Sequence, residues 1–217
     1  MLKNNLTIPI KTIKQANEII GNLSTPYKMP SFSYSLPAPE CNKGSKLRKI
    51  KGTVCEKCYA MKGNYVRYAK TVMPSLYRRL NSISNVNWVN AFVFLLQHRK
   101  GIRESGVFRW HDSGDLQNEE HLDKIIAVAS RTPEIKHWLP TKESALIKNY
   151  GKTIPSNLII RLSGSFVDGK EPNYKHTSTV VTDKDKATCR SFENGGKCGE
   201  CRQCWDKSVT NVSYLAH

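Results

Sequence analysis

Seven cysteines are the residues of this chain best suited to chemistry, and they fall into two groups along the sequence. Cys198, Cys201 and Cys204 stand at two-residue gaps, with Cys189 ahead of them and Gly195, Gly196 and Gly199 supplying the backbone freedom of a tight wrap. A C-x2-C-x2-C run suits an iron–sulfur cluster, with the fourth thiolate closing the shell. Tetrahedral zinc is the alternative, although such sites usually draw on two separated Cys pairs. Upstream, Cys55 and Cys58 are spaced to reach one metal centre from a loop-to-helix junction, and Cys41 precedes them just after a predicted strand. Three thiolates can hold three irons of a cubane and leave the fourth open to a ligand. Cys55-x-x-Cys58 taken alone also fits a redox dithiol at a helix N-terminus, and the three cysteines together also fit a zinc site with His111 or a carboxylate as fourth ligand.

His111, Asp112 and Asp115 gather on a turn after a predicted strand. They could bind a ligand at the rim of a sheet, or Asp115 and Asn118 could simply start a helix. Ser163-Gly164-Ser165 reads as a turn whose backbone amides could hold an anion.

The elements that must position these groups alternate. Residues 31–36 alternate polar and apolar and read as a strand, with Cys41 close behind it. Residues 107–111, 135–139, 157–162 and 176–182 read as further strands. Helical spacing marks residues 11–22, a segment from Tyr59 interrupted at Gly63, another beginning at Pro74, the stripe Trp88, Phe92, Leu95 and Leu96, residues 118–130 and residues 144–150. Strand–helix alternation predicts an α/β fold with a mainly parallel sheet, a partial (β/α) barrel with fewer strands than a full barrel. Functional side chains in such folds collect at the C-terminal strand ends. Those ends here offer Cys41, the 112–115 turn, Pro140-Thr141-Lys142 and Ser163-Gly164-Ser165. The expected organisation is an α/β domain over residues 1–182 and a cysteine-rich, cluster-binding tail over 183–217, packed on it and too short for a core of its own.

The chain has 217 residues, with 34 Lys and Arg against 18 Asp and Glu, a formal charge of +16. That excess favours nucleic acid or another polyanion as partner, or serves as a solvated basic surface. There is no apolar run of transmembrane length. Residues 1–10 lack the pattern of a secretory signal. Seven cysteines without such a signal predict a reducing, cytoplasmic setting and metal ligation rather than disulfides.

Thr53-Val54-Cys55-Glu56-Lys57-Cys58-Tyr59-Ala60 resembles the second half of the cluster loop of the radical S-adenosylmethionine superfamily, C-x3-C-x2-C, often followed by Tyr and Ala. Ser113-Gly114-Asp115-Leu116, followed by Glu119-Glu120-His121-Leu122, is similar to the Gly-Gly-Glu-Pro stretch that binds the cofactor's amino group in that superfamily. The family's first cysteine would fall at Lys51, so Cys41 must serve across a longer gap. The resemblance implies a [4Fe-4S] cluster, one or two per chain, with S-adenosylmethionine near Ser113, Gly114 and Asp115. A nearer likeness is to the phage "gene product eighty-eight" family. It rests on a strand into a cysteine loop ending Cys-Tyr-Ala, the His-Asp-Ser-Gly-Asp turn, and Cys198-Gly-x-Cys-x-x-Cys-Trp205, and it spans most of residues 30–206. It implies a viral or prophage origin, with a cytoplasmic location that is the host's if the protein is viral, and carries no established activity. Three readings follow: a radical S-adenosylmethionine enzyme of unknown substrate, a non-catalytic iron–sulfur or electron-transfer protein, and a zinc-stabilised nucleic-acid binder.

Overall fold

The computed structural model describes residues 7–216. The N-terminal signal reading falls partly on residues 1–6, outside the described residues. Six strands form one sheet: β1 Ser33–Tyr34, β2 Val107–Trp110, β3 Lys136–Thr141, β4 Leu158–Val167, β5 Thr177–Val181 and β6 Asn211–Leu215. Every adjacent pair is parallel, and the spatial order follows the chain order from β1 to β6. The sheet is open, with β1 and β6 at its edges.

The helices are α1 Ile13–Ile20, α2 Asn42–Leu47, α3 Asn64–Arg67, α4 Ala69–Ser82, α5 Trp88–His98, α6 Lys100–Ser105, α7 Glu119–Ser130 and α8 Ser144–Asn149. Local chemistry sets several boundaries. Thr12 caps α1 by accepting from the Gln15 amide at 3.0 Å, and Gly21 ends it in the left-handed region at φ 77°. Asn118 caps α7 as its sequence position predicts, accepting from the His121 amide at 2.8 Å. Pro74 does not begin a helix; it lies inside α4.

Alternation along the strands separates two environments. Phe108 and Trp110 of β2, Leu139 of β3 and Leu158, Ile160 and Leu162 of β4 join the main core with Ile20 of α1, Trp88, Phe92 and Leu96 of α5, and Leu122 and Ile125 of α7. The opposite face carries Val107 and Trp138, which pack on Trp205 beside Met29, Cys204 and Tyr214. The helical layer therefore covers one face, and the cysteine-rich β5–β6 connection covers the other.

Two expectations change. Residues 163–165 are not a turn: β4 runs on to Val167, with a register shift between Ser163 and Val167. The tail is also more than an appendage, because β6 pairs with β5 over five residues and completes the sheet.

Candidate metal centre

The first thiol group sits at the C-terminal rim of the sheet. After β1 the chain makes a short 3-10 turn, Ala38–Glu40, and reaches Cys41 at the N-terminus of α2. The 52–54 segment is pinned to the overlong end of β4. Val54 donates to the Ser165 carbonyl at 2.9 Å and Val167 donates to the Gly52 carbonyl at 3.0 Å. Cys55 and Cys58 follow, closed into a turn by the Cys58 amide donating to the Cys55 carbonyl at 3.2 Å. An alanine methyl at Gly44 would lie 2.9 Å from Cys41 Cβ, 3.6 Å from Cys41 Sγ and 3.7 Å from Cys55 Sγ. The missing side chain of α2 thus leaves open a small space that both sulfurs face.

Charge couples the group. Burial pushes the Cys41 thiol up to about 12, with Asp115, Cys58 and Cys55 adding to the effect and Arg48 opposing it. Cys55 is raised by burial, against the pull of Lys142 and with the push of Cys58 and Asp115. Burial lowers Lys142, while Cys55 and Asp115 favour its charge. The raised pKa values of Cys41 and Cys55 favour the protonated thiols, so a cation binding there would displace protons.

Ser113, Gly114 and Asp115 tie the rim together. Ser113 Oγ donates to the Leu36 carbonyl, and the Leu36 amide donates to the Ser113 carbonyl, both at 2.8 Å. Gly114 has φ 77°, and a Cβ there would meet Leu36 Cβ at 2.5 Å, so only glycine fits. The buried Asp115 carboxylate accepts from the Leu116 amide at 2.8 Å, Thr141 Oγ1 at 2.6 Å and the Lys142 amide at 2.9 Å. Burial nonetheless raises its pKa to about 6, against those three bonds. Asp112 faces β1 instead, accepting from Ser33 Oγ and Ser35 Oγ, both at 2.5 Å. His111, at φ 51°, is buried with neither ring nitrogen hydrogen-bonded among the described residues.

The second thiol group lies on the helix-free face. Cys189 donates its amide to the Ser213 carbonyl of β6 at 2.9 Å. Cys198 and Cys201 close the same kind of turn as Cys55 and Cys58, with a 3.0 Å amide-to-carbonyl bond. Cys204 Sγ lies 3.2 Å from the Tyr214 hydroxyl. Burial pushes Cys204 up to about 12, the Tyr214 bond opposing this and Cys189 and Cys198 adding to it. Cys198 is raised by burial and then by Cys189. Only Cys201 is exposed.

Residues outside the expected set carry much of this geometry. Arg161, fully buried on β4, donates to the carbonyls of Gln203, Cys204, Asp206, Thr177 and Thr210 at 2.9 to 3.3 Å. Its signal was a lone cation inside the apolar run Leu158-Ile159-Ile160-Arg161-Leu162. Arg109 favours the thiolate forms of Cys198 and Cys204 in the second group. Burial opposes its charge, but Tyr59, Asp112, Tyr214 and Cys204 outweigh that.

The fold therefore groups Cys41, Cys55 and Cys58 apart from Cys189, Cys198, Cys201 and Cys204. All seven are free thiols. Among the described residues, no group of three or more His, Cys, Asp or Glu side chains is arranged so that it could hold a metal ion. No curated protein and no solved structure matches the chain. The likeness carried by the cysteine loop, the His-Asp-Ser-Gly-Asp turn and the Cys-rich tail is upheld by a match over residues 3–207, and the chain belongs to the Gene product 88 family.

Proposed function

We propose that this protein binds iron–sulfur clusters at two places. Cys41, Cys55 and Cys58 would hold a [4Fe-4S] cluster at the rim, and Cys189, Cys198, Cys201 and Cys204 a second one on the helix-free face. The single observation that supports this reading is the charge coupling of Cys41 with Cys55 and Cys58, and of Cys189 with Cys198 and Cys204, among seven free thiols. The sheet is read as a partial barrel of the radical S-adenosylmethionine kind. A three-cysteine rim site leaves one iron for S-adenosylmethionine, whose one-electron reduction is the chemistry such a cluster supplies. On this chain's side, Asp115 would orient the cofactor's amino group, Gly114 would keep the turn close, and Lys142 would balance thiolate charge. The non-catalytic iron–sulfur protein keeps the same ligands without cofactor cleavage. The +16 charge directs either protein towards a polyanionic partner.

The test is an iron, sulfide and zinc count on anaerobically purified protein. Two cubanes give about eight irons and eight sulfides per chain, and one gives about four. Stoichiometric zinc without sulfide defeats the proposal. Dithionite-reduced, loaded protein is then offered S-adenosylmethionine. Formation of 5′-deoxyadenosine supports the enzyme, and its absence together with an unchanged cluster spectrum leaves the non-catalytic protein.

A further inference from the structure

The stretch after the cluster loop differs from the rest of the surface. Residues 57–103 contain nine Lys and Arg and no Asp or Glu. Within it, residues 57–70 present apolar and aromatic side chains to solvent: Tyr59 is 50 % exposed, Met61 38 %, Val66 61 % and Tyr68 53 %. Lys57, Lys62, Arg67 and Lys70 are interleaved with them and all exposed. Tyr59 and Tyr65 meet edge to face, 6.1 Å between centroids. A basic surface kept only for solubility would not place four large apolar side chains in water. Burial pushes the Tyr65 hydroxyl up, with Asp112 adding to the effect and a bond to Ser113 opposing it, and Asp112 Oδ1 is itself engaged by Ser33 and Ser35.

We propose that residues 57–70 form a landing platform for single-stranded nucleic acid, beside the rim thiols. The proposal rests on the polyanion reading of the charge and is independent of which metal the cysteines hold. Phosphates match an acid-free run of cations, and unstacked bases match exposed tyrosine faces. A duplex keeps its base faces hidden and would leave the tyrosines unused. The platform is continuous with the first thiol group through Cys58-Tyr59.

The test is fluorescence anisotropy with a labelled single strand, DNA or RNA, against the matching duplex and anionic vesicles, from about 50 mM salt upward. Tyr68→Ala and Tyr59→Ala should each weaken single-strand binding roughly five-fold or more. The double variant Lys62→Glu/Arg67→Glu should weaken it further and reduce the salt slope by about 0.7 per lost phosphate contact. The reference is Lys100→Glu/Arg103→Glu on α6, at the far end of β2 from the rim, with less than two-fold change expected. Circular dichroism and iron content show that each variant folds and loads. Absence of binding at low salt overturns both the platform and the polyanion reading. Equal losses in platform and reference variants overturn the platform and leave a diffuse polyanion surface. Tyrosine-dependent binding of vesicles in preference to strands overturns it in favour of a lipid surface.

Discussion

Gly44 shows how finely the rim depends on single residues. It is a helical position where alanine would ordinarily be favoured by about 1 kcal/mol. Here the added methyl would meet Cys41 Cβ at 2.9 Å and enter the space faced by the Cys41 and Cys55 sulfurs. Gly44→Ala should therefore fold with an unchanged helical spectrum but lose about four irons of about eight, the tail cluster being retained. Full iron content in the variant would show that Gly44 does not shape the site. Gly114→Ala makes the contrast: its φ of 77° and the 2.5 Å approach to Leu36 predict lost stability, on the order of 2 kcal/mol or more, read by thermal unfolding. The cysteines themselves were legible from spacing alone. The role of Gly44 was not, because it arises from a contact between α2 and a loop eleven residues later, Cys55, that no local pattern encodes.

At the scale of elements, β2, β3 and β5 were legible because each is a short β-branched or aromatic run between turn residues. β1 shrank to Ser33–Tyr34, since it is an edge strand with β2 as its one ladder partner. β6 escaped notice: Asn211–Leu215 offers only Val212, Tyr214 and Leu215 as apolar residues, and its place is fixed by pairing with β5. What docks the intervening connection is Arg161, whose five bonds converge on the Thr177 carbonyl of β5 and on those of Gln203, Cys204, Asp206 and Thr210 at the C-terminal end of the cysteine ladder. A methionine there keeps the apolar stem but removes every donor. Arg161→Met should cost at least about 3 kcal/mol and expose residues 183–206 to proteolysis. Arg161→Lys should recover little, because an ammonium cannot span five acceptors. Protease resistance equal to wild type in the methionine variant would mean that the cysteines alone hold the connection.

The whole molecule should respond to acid through histidines buried as neutral rings. His121 and His137 are fully buried, and burial holds each down to about 3; burial also holds His111 well below its usual value, with His121 and Arg109 contributing. His137 has Trp110 and Thr132 as partners, whereas neither ring nitrogen of His111 or His121 is bonded among the described residues. In the unfolded chain each titrates near 6.5, so above about pH 7 both states are neutral and the stability is full. As pH falls through about 6.5, the unfolded chain takes up protons that the fold refuses, and stability drops by up to about 1.4 kcal/mol per pH unit for each ring. Asp115 works the other way. Its carboxyl, raised to about 6 by burial, is protonated in the fold where the unfolded chain is still ionised, which adds stability as pH falls from 6 to 4. Three rings against one carboxyl leave a net uptake of protons on unfolding, so stability falls between about pH 6 and 4. Urea midpoints should accordingly fall steeply below pH 6. His121→Leu replaces an unpartnered ring that contacts Trp88 and His111 with an apolar side chain, so it should flatten the slope by about one proton while changing little at pH 7.5. An unchanged slope in that variant, or a wild-type midpoint that rises on acidification, would show that these rings are not the groups that set the acid limit.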